Sequence, residues 1–138
     1  MTAFPNPEFT VGDLETKTIL LVEDDPDVAR GVTVRLQANG YRVVHATNAT
    51  LALTIAALER PDLVIMDVGL PGQDGHYVME RLARSIHTAM IPVVFLTARG
   101  QEETARKAFE AGAVGFMTKP YRGDELIAMV GTGLAAVA

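Results

Sequence analysis

The chain of 138 residues contains no cysteine. Disulfides, thiol nucleophiles and Cys-ligated metals are excluded together, and a reducing compartment fits. Positive charge is also short: 12 Lys and Arg stand against 17 Asp and Glu, for a net charge of -5. That balance argues against a nucleic-acid surface, which needs clustered Lys and Arg. The N-terminus has neither a basic leader nor an apolar signal core, and no uninterrupted apolar run reaches membrane length. The expectation is a soluble, cytoplasmic protein without a membrane partner. At 49% hydrophobic residues the length suits one globular domain and is too short for two ordinary ones.

Residues 1–16 hold Pro5, Pro7 and Gly12 with little periodicity and read as a flexible tail, leaving a domain over residues 17–138. Residues 18–22 form a short apolar strand that ends in three acids, Glu23, Asp24 and Asp25. Asp25 is a plausible N-cap with Pro26 at the first helical position; Val28, Val32 and Leu36 recur at helical spacing, and Asn39-Gly40 closes the helix. Residues 41–46 are a second strand. Asn48 caps a helix over 49–59 that has no charge before Glu59, with Leu51, Ile55 and Leu58 sharing a face. Such a wide apolar set implies either good cover or a contact surface.

The uncharged run 63–66 reads as a fully buried strand; it ends in Asp67, and a turn through Pro71, Gly72 and Gly75 follows. A helix over about 75–86 puts Val78, Met79, Leu82 and Ile86 inward. Residues 91–96 are a fourth strand ending in Thr97-Ala98. A helix over 102–111 has Ala105, Ala108 and Phe109 on one face and Glu102/Arg106 and Glu103/Lys107 as i,i+4 pairs outside. Residues 114–117 are a fifth strand, followed by Thr118, Lys119 and Pro120. A last helix starts near Asp124, its final turns weakened by Gly131 and Gly133.

Five strands alternating with five helices specify α/β architecture: a doubly wound five-stranded parallel sheet covered on both faces. In such a sheet the carboxyl ends of all strands share one edge, where ligands and chemistry collect. Glu23, Asp24, Asp25, Asp67, Thr97 and Lys119 all stand at those ends. Two carboxylates about 4 Å apart repel by roughly 4 kcal/mol at an effective dielectric near 20, so converging acids need a cation. An oxygen-only set without Cys or His favours a hard ion such as Mg²⁺. His45, His76 and His87 lie on different elements without metal-ligand spacing and read as structural or solvated.

The runs LLVEDD (20–25), Asp67 with Leu70-Pro71-Gly72 and Asp74-Gly75, Leu96-Thr97-Ala98, and FMTKP (116–120) resemble the receiver domain of two-component response regulators, over about residues 17–137. The resemblance implies a flavodoxin-like sheet of order 2-1-3-4-5. It implies that Asp67 is a phosphoacceptor taking a phosphoryl group from a phosphohistidine on a sensor histidine kinase or a histidine phosphotransfer protein, as in a phosphorelay. Asp24 and Asp67 would ligate Mg²⁺ or Mn²⁺ directly, Glu23 mainly through water, and Gly69 through its backbone carbonyl. Thr97 would donate to a phosphoryl oxygen and Lys119 would pair with another. The family's Lys-Pro bond, here Lys119-Pro120, is typically cis.

The same resemblance makes Thr97 and Phe116 switch residues that alter the surface of the fourth helix, fifth strand and fifth helix. That surface would engage a downstream target, an output domain or a second copy. The chain would be a signalling switch rather than an enzyme for other substrates, with no direct nucleic-acid contact. Taken singly, Thr97 reads as a loop hydroxyl, Lys119 as a surface charge and Phe116 as a core aromatic. Their convergence beside Asp67 favours the site reading.

Three positions depart from the commonest pattern. Gly69 offers no side chain two residues after Asp67, Arg99 is long and cationic two after Thr97, and Arg122 stands where a cap for the last helix is usual, so that helix is expected to start late. An aspartyl-phosphate phosphatase of the haloacid dehalogenase type would want a second Asp at position 69. A P-loop NTPase lacks its Gly-rich Lys motif. A phosphorylation-independent docking module is the remaining rival, against which stand the intact Asp67, Thr97 and Lys119. Residue 138 falls where the last helix should end, so an output domain is not expected within this sequence.

Overall fold

The runs TILLV, RVVHA, LVIMD, VVFLT and GFMT are rich in β-branched and apolar residues, and they form the strands. The computed structural model describes residues 16–70, 75–98 and 102–136. In chain order the elements are β1 (Thr18–Val22), α1 (Pro26–Ala38), β2 (Arg42–Ala46), α2 (Ala49–Glu59), β3 (Leu63–Asp67), α3 (Gly75–Ala83), β4 (Val93–Thr97), α4 (Glu102–Glu110), β5 (Gly115–Thr118) and α5 (Gly123–Ala135). All four pairings are parallel and the order is β2-β1-β3-β4-β5. This is the sheet expected from the sequence. Of the expected tail only Thr16 is described, and Arg99 likewise lies outside the described residues.

Alternation along the strands divides the core in two. Leu20, Val22, Val64, Met66 and Phe95 meet α2 and α3 on one face of the sheet. Ile19, Leu21, Ile65, Val94 and Leu96 meet α1 and α5 on the other. The central strands β3 and β4 are buried along their whole length, which is why they read as continuous apolar runs rather than alternating ones.

Helix ends follow local chemistry. Asp25 Oδ1 accepts from the backbone N–H of Asp27 at 2.9 Å and of Val28 at 3.3 Å, with Pro26 opening α1. Asn48 Oδ1 accepts from Leu51 N–H at 2.8 Å and starts α2.

α2, for which the sequence left open good cover or a contact surface, turns Ala49, Ala52 and Ala56 inward and leaves Leu51 and Leu58 exposed; the small side chains let the helix lie close on the sheet. Other expectations are corrected. α3 stops at Ala83, because Thr88 Oγ1 donates to the Leu82 carbonyl at 2.7 Å, the acceptor that Ile86 N–H would use in a continuing helix. Ile86 is therefore outside the core. On α4, Glu103 pairs with Arg106 at i,i+3, and Arg106 reaches Glu110 at 2.7 Å; Phe109 is half-exposed, while the Ala105 and Ala108 side chains lie outside the described residues.

α5 begins at Gly123 rather than late. Arg122 supplies no side-chain cap, but its N–H donates to the Glu125 carboxylate at 2.7 Å, which fixes the first turn from inside. The helix also runs through both glycines. Gly133 is a packing residue: a Cβ there would come within 2.8 Å of Leu63 Cδ1. Among the described residues no helix is long and apolar enough to cross a membrane.

Gly75, at the start of α3, touches the fully buried ring of Phe95 so closely that a Cβ would enter the ring's van der Waals envelope. Gly75→Ala is expected to destabilise the domain by about 1–3 kcal/mol through overpacking. A lower urea midpoint at unchanged m-value checks this; an unchanged midpoint refutes it.

Candidate functional site

Parallel pairing aligns the ends of β1, β3, β4 and β5. Asp67 is the last residue of β3 and lies opposite Leu96; Thr97 ends β4 opposite Thr118. The ladder continues past the strands, with Val68 N–H donating to Leu96 O at 2.9 Å and Lys119 N–H to Thr97 O at 2.7 Å. These bonds carry Asp67, Thr97 and Lys119 to one edge at fixed heights. Glu23 is held in the same way from β2, its N–H donating to Ala46 O at 3.0 Å and its carbonyl bonded to His45 Nε2 at 2.7 Å.

Oxygen atoms of Glu23, Asp24 and Asp67 lie within 4.8 Å of one another. Glu23 is 1% exposed and Asp67 9%, whereas Asp24 faces solvent. Lys119 Nζ donates to Asp67 Oδ2 at 2.9 Å and reaches Glu23 Oε1 at 3.5 Å. Asp67 Oδ1 accepts from Gly69 N–H at 2.7 Å, and Glu23 Oε2 from Asp25 N–H at 3.1 Å. Each buried carboxylate is thus oriented through both of its oxygens. Three carboxylates against one ammonium leave two negative charges, and an all-oxygen donor set fits a hard divalent cation.

Burial raises the Glu23 pKa above its ordinary value, and the Asp67 charge adds to the rise; Asp25 N–H and Lys119 counter it in part. For Lys119 burial opposes the charge, but Asp67 and then Glu23 outweigh it and the pKa is raised. Burial also raises the Tyr121 phenol, which stands beside this pair, lowered only in part by Lys119.

Thr97 is buried, and its hydroxyl donates locally to Ala98 O at 3.3 Å. Phe116 is 44% exposed, so it is not a core aromatic; on β5, Gly115 and Met117 face inward and Phe116 outward. It packs edge-to-face on Phe109, with centroids 6.2 Å apart. The Lys119-Pro120 bond is cis. Of the histidines, His45 holds the Glu23 carbonyl and His87 meets Arg60. Tyr121 and His45 are neighbours of the site that the sequence reading missed or left general. The only signal for Tyr121 was its place after Pro120, and nothing in the linear order joins His45 to Glu23.

A parallel sheet with a cation-ready carboxylate cluster and one lysine at its carboxyl edge defines a class built for charge-neutralised chemistry on an anionic group. The chain belongs to the response regulator receiver domain family, whose family model matches residues 19–131. It is 38% identical over 112 residues to the DNA-binding dual master transcriptional regulator RpaA of Synechocystis, covering 81% of this chain and 46% of that protein. The chain thus spans about half the length of such curated relatives. Among solved structures, the signal receiver domain of a signal transduction histidine kinase from Syntrophus aciditrophicus is 34% identical with a TM-score of 0.80, covering 88% of this chain and 92% of that one. The receiver domain of a sensor histidine kinase from Pseudomonas aeruginosa PAO1, with a magnesium ion in its active site cleft, is 28% identical with a TM-score of 0.79, covering 87% and 98%.

A carboxyl whose native pKa exceeds its unfolded value, here 4.5, stabilises the fold fully below that value and less as pH rises through the native one. Glu23→Gln keeps the shape without the charge. In EDTA the variant is expected to lose less melting temperature than the parent between about pH 4.5 and pH 7.5, measured by circular dichroism. Parallel pH profiles would contradict the assignment.

Proposed function

We propose that this receiver domain is a phosphorylation switch with Asp67 as phosphoacceptor. The observation that carries the reading is Lys119 Nζ at 2.9 Å from Asp67 Oδ2, inside a cluster with Glu23 and Asp24. An Asp67 oxygen attacks the phosphorus of a phosphohistidine on a sensor kinase or phosphotransfer protein. The new P–O bond forms as the P–N bond breaks, and the imidazole leaves with its electron pair and takes a proton. Asp24 and Asp67 directly, Glu23 through water and the Gly69 carbonyl would hold Mg²⁺ or Mn²⁺, which supplies charge neutralisation at the phosphoryl oxygens. Lys119 pairs with a phosphoryl oxygen. Thr97, freed from Ala98 O by rotation about one bond, donates to the phosphoryl group.

Phosphorylation replaces about one charge by two at Asp67. Movement of Thr97 toward that charge vacates space against which Phe116 repacks, changing the face of α4, β5 and α5 where Phe109 and Phe116 now stand half-exposed. A downstream protein, an output domain or a second copy reads that face.

Acetyl phosphate with Mg²⁺ tests the acceptor. Intact mass is expected to rise by one hydroxylamine-labile phosphoryl group in the parent, and in neither the Asp67→Asn variant nor the parent in EDTA. Asp67→Asn acquiring the same labile group would overturn the assignment. Gly69 is exposed and supplies no side chain to screen an acyl phosphate on Asp67 from water. Gly69→Asn is therefore expected to slow loss of the phosphoryl group severalfold, followed by mass spectrometry after removal of the donor; identical decay would refute the role of this missing side chain.

A further inference from the structure

Asp24 faces solvent, whereas Glu23 and Asp67 are buried and oriented through both carboxylate oxygens. An exposed side chain is aimed by the backbone that carries it, and here that backbone is pinned on both sides. Before Asp24, the Glu23 carbonyl lies 2.7 Å from His45 Nε2. A carbonyl only accepts, so Nε2 carries the proton and donates. That oxygen and Asp24 N–H belong to one planar peptide unit, so holding it fixes the plane that enters Asp24. After Asp24, Asp25 N–H donates to Glu23 Oε2 at 3.1 Å, which fixes the plane that leaves it. The direction of the Asp24 Cα–Cβ bond follows from the two planes, and it brings a carboxylate oxygen within 4.8 Å of those of Glu23 and Asp67.

The His45 bond is not part of the sheet ladder. Pairing of β1 with β2 ends at Val22 and Ala46, and Glu23 N–H then donates to Ala46 O at 3.0 Å. In a continuing parallel ladder the Glu23 carbonyl would next accept from the N–H of residue 48. Asn48 instead leaves the strand as the N-cap of α2, its side chain accepting from Leu51 N–H at 2.8 Å. The His45 ring takes the place of that donor. His45 pairs with Leu21, two residues before Glu23, so its side chain reaches forward along the strand to do so. The residue is exposed, and packing of the core does not call for a ring at this position.

We propose that His45 is a positioning residue for the cation site: by holding the Glu23 carbonyl it fixes the Glu23–Asp24 peptide and so aims the open Asp24 carboxylate at the place where Glu23 and Asp67 converge. The proposal rests on the reading that these three acids hold a divalent cation.

Titrating the full-length protein with MgCl₂ while following the amide signals of Asp24 and Gly69 by two-dimensional NMR tests it. His45→Phe keeps a flat ring and removes the donor, and His45→Gln returns an N–H donor on a chain of similar reach. Loss of a group that supports a metal ligand costs roughly 10–100-fold in affinity, so His45→Phe is expected to bind Mg²⁺ about tenfold more weakly than the parent and His45→Gln within about twofold of it. Signals of Thr18 and Arg42, at the far ends of β1 and β2, are expected to stay in place in both variants. His45→Phe binding as tightly as the parent, or His45→Gln binding as weakly as His45→Phe, would overturn the proposal and leave the cation reading standing. Shifts that run along both strands to Thr18 and Arg42 would make the bond a strand clamp and overturn it too. A parent that binds no Mg²⁺ would overturn the cation reading and this proposal with it.

Discussion

Lys119 Nζ stands 2.9 Å from Asp67 Oδ2 and 3.5 Å from Glu23 Oε1, where two largely buried carboxylates and a third exposed one converge. Each close carboxylate pair repels by about 4 kcal/mol at an effective dielectric near 20, and burial weakens the water that would otherwise screen it. One ammonium offsets part of this and leaves the cluster short of positive charge. The remaining deficit makes the edge receptive to a cation and intolerant of casual substitution. Burial, with the Asp67 charge beside it, raises the Glu23 pKa at the centre of this cluster.

That concentration of charge depends on the sheet being parallel. Every strand delivers its last residue to one edge, and the ladder bonds from Val68 to Leu96 and from Lys119 to Thr97 extend the alignment into the loops. The helices serve the same end by covering both faces, so the central strands β3 and β4 are buried along their whole length. The opposite edge has different chemistry. It gathers helix ends and strand starts, and there Leu58, Ile86 and Met90 reach solvent beside arginines. One fold thus presents an acidic, polar edge and an opposite edge where apolar side chains reach solvent.

Where the linear reading fell short, a local bond or a close approach had overridden periodicity. Ile86 fits the helical stripe of Val78, Met79 and Leu82, yet Thr88 takes the Leu82 carbonyl and ends the helix first. On α2 the wide apolar set left cover and contact surface equally open, and it is the alanines that lie against the sheet. Arg122 looked like a missing cap, and Glu125 supplied the bond from within the helix. Phe116 could not be placed from its type, since a four-residue edge strand alternates and one residue of register decides which side faces water.

The sequence by itself determined the class of fold and that Glu23, Asp24, Asp67 and Lys119 stand at the carboxyl ends of its strands. Strand and helix periods, the Asp25 and Asn48 caps and the acids after the first and third strands are properties of neighbouring residues, legible because they act over a few bonds. Tertiary structure alone decided which oxygen of Asp67 meets Lys119, that His45 braces Glu23, that Tyr121 lies beside the charged pair and that Phe109 is the neighbour of Phe116. These are relations between strands or between a strand and a helix. Their distances are set by sheet register and helix packing, and the order of residues along the chain does not encode them locally.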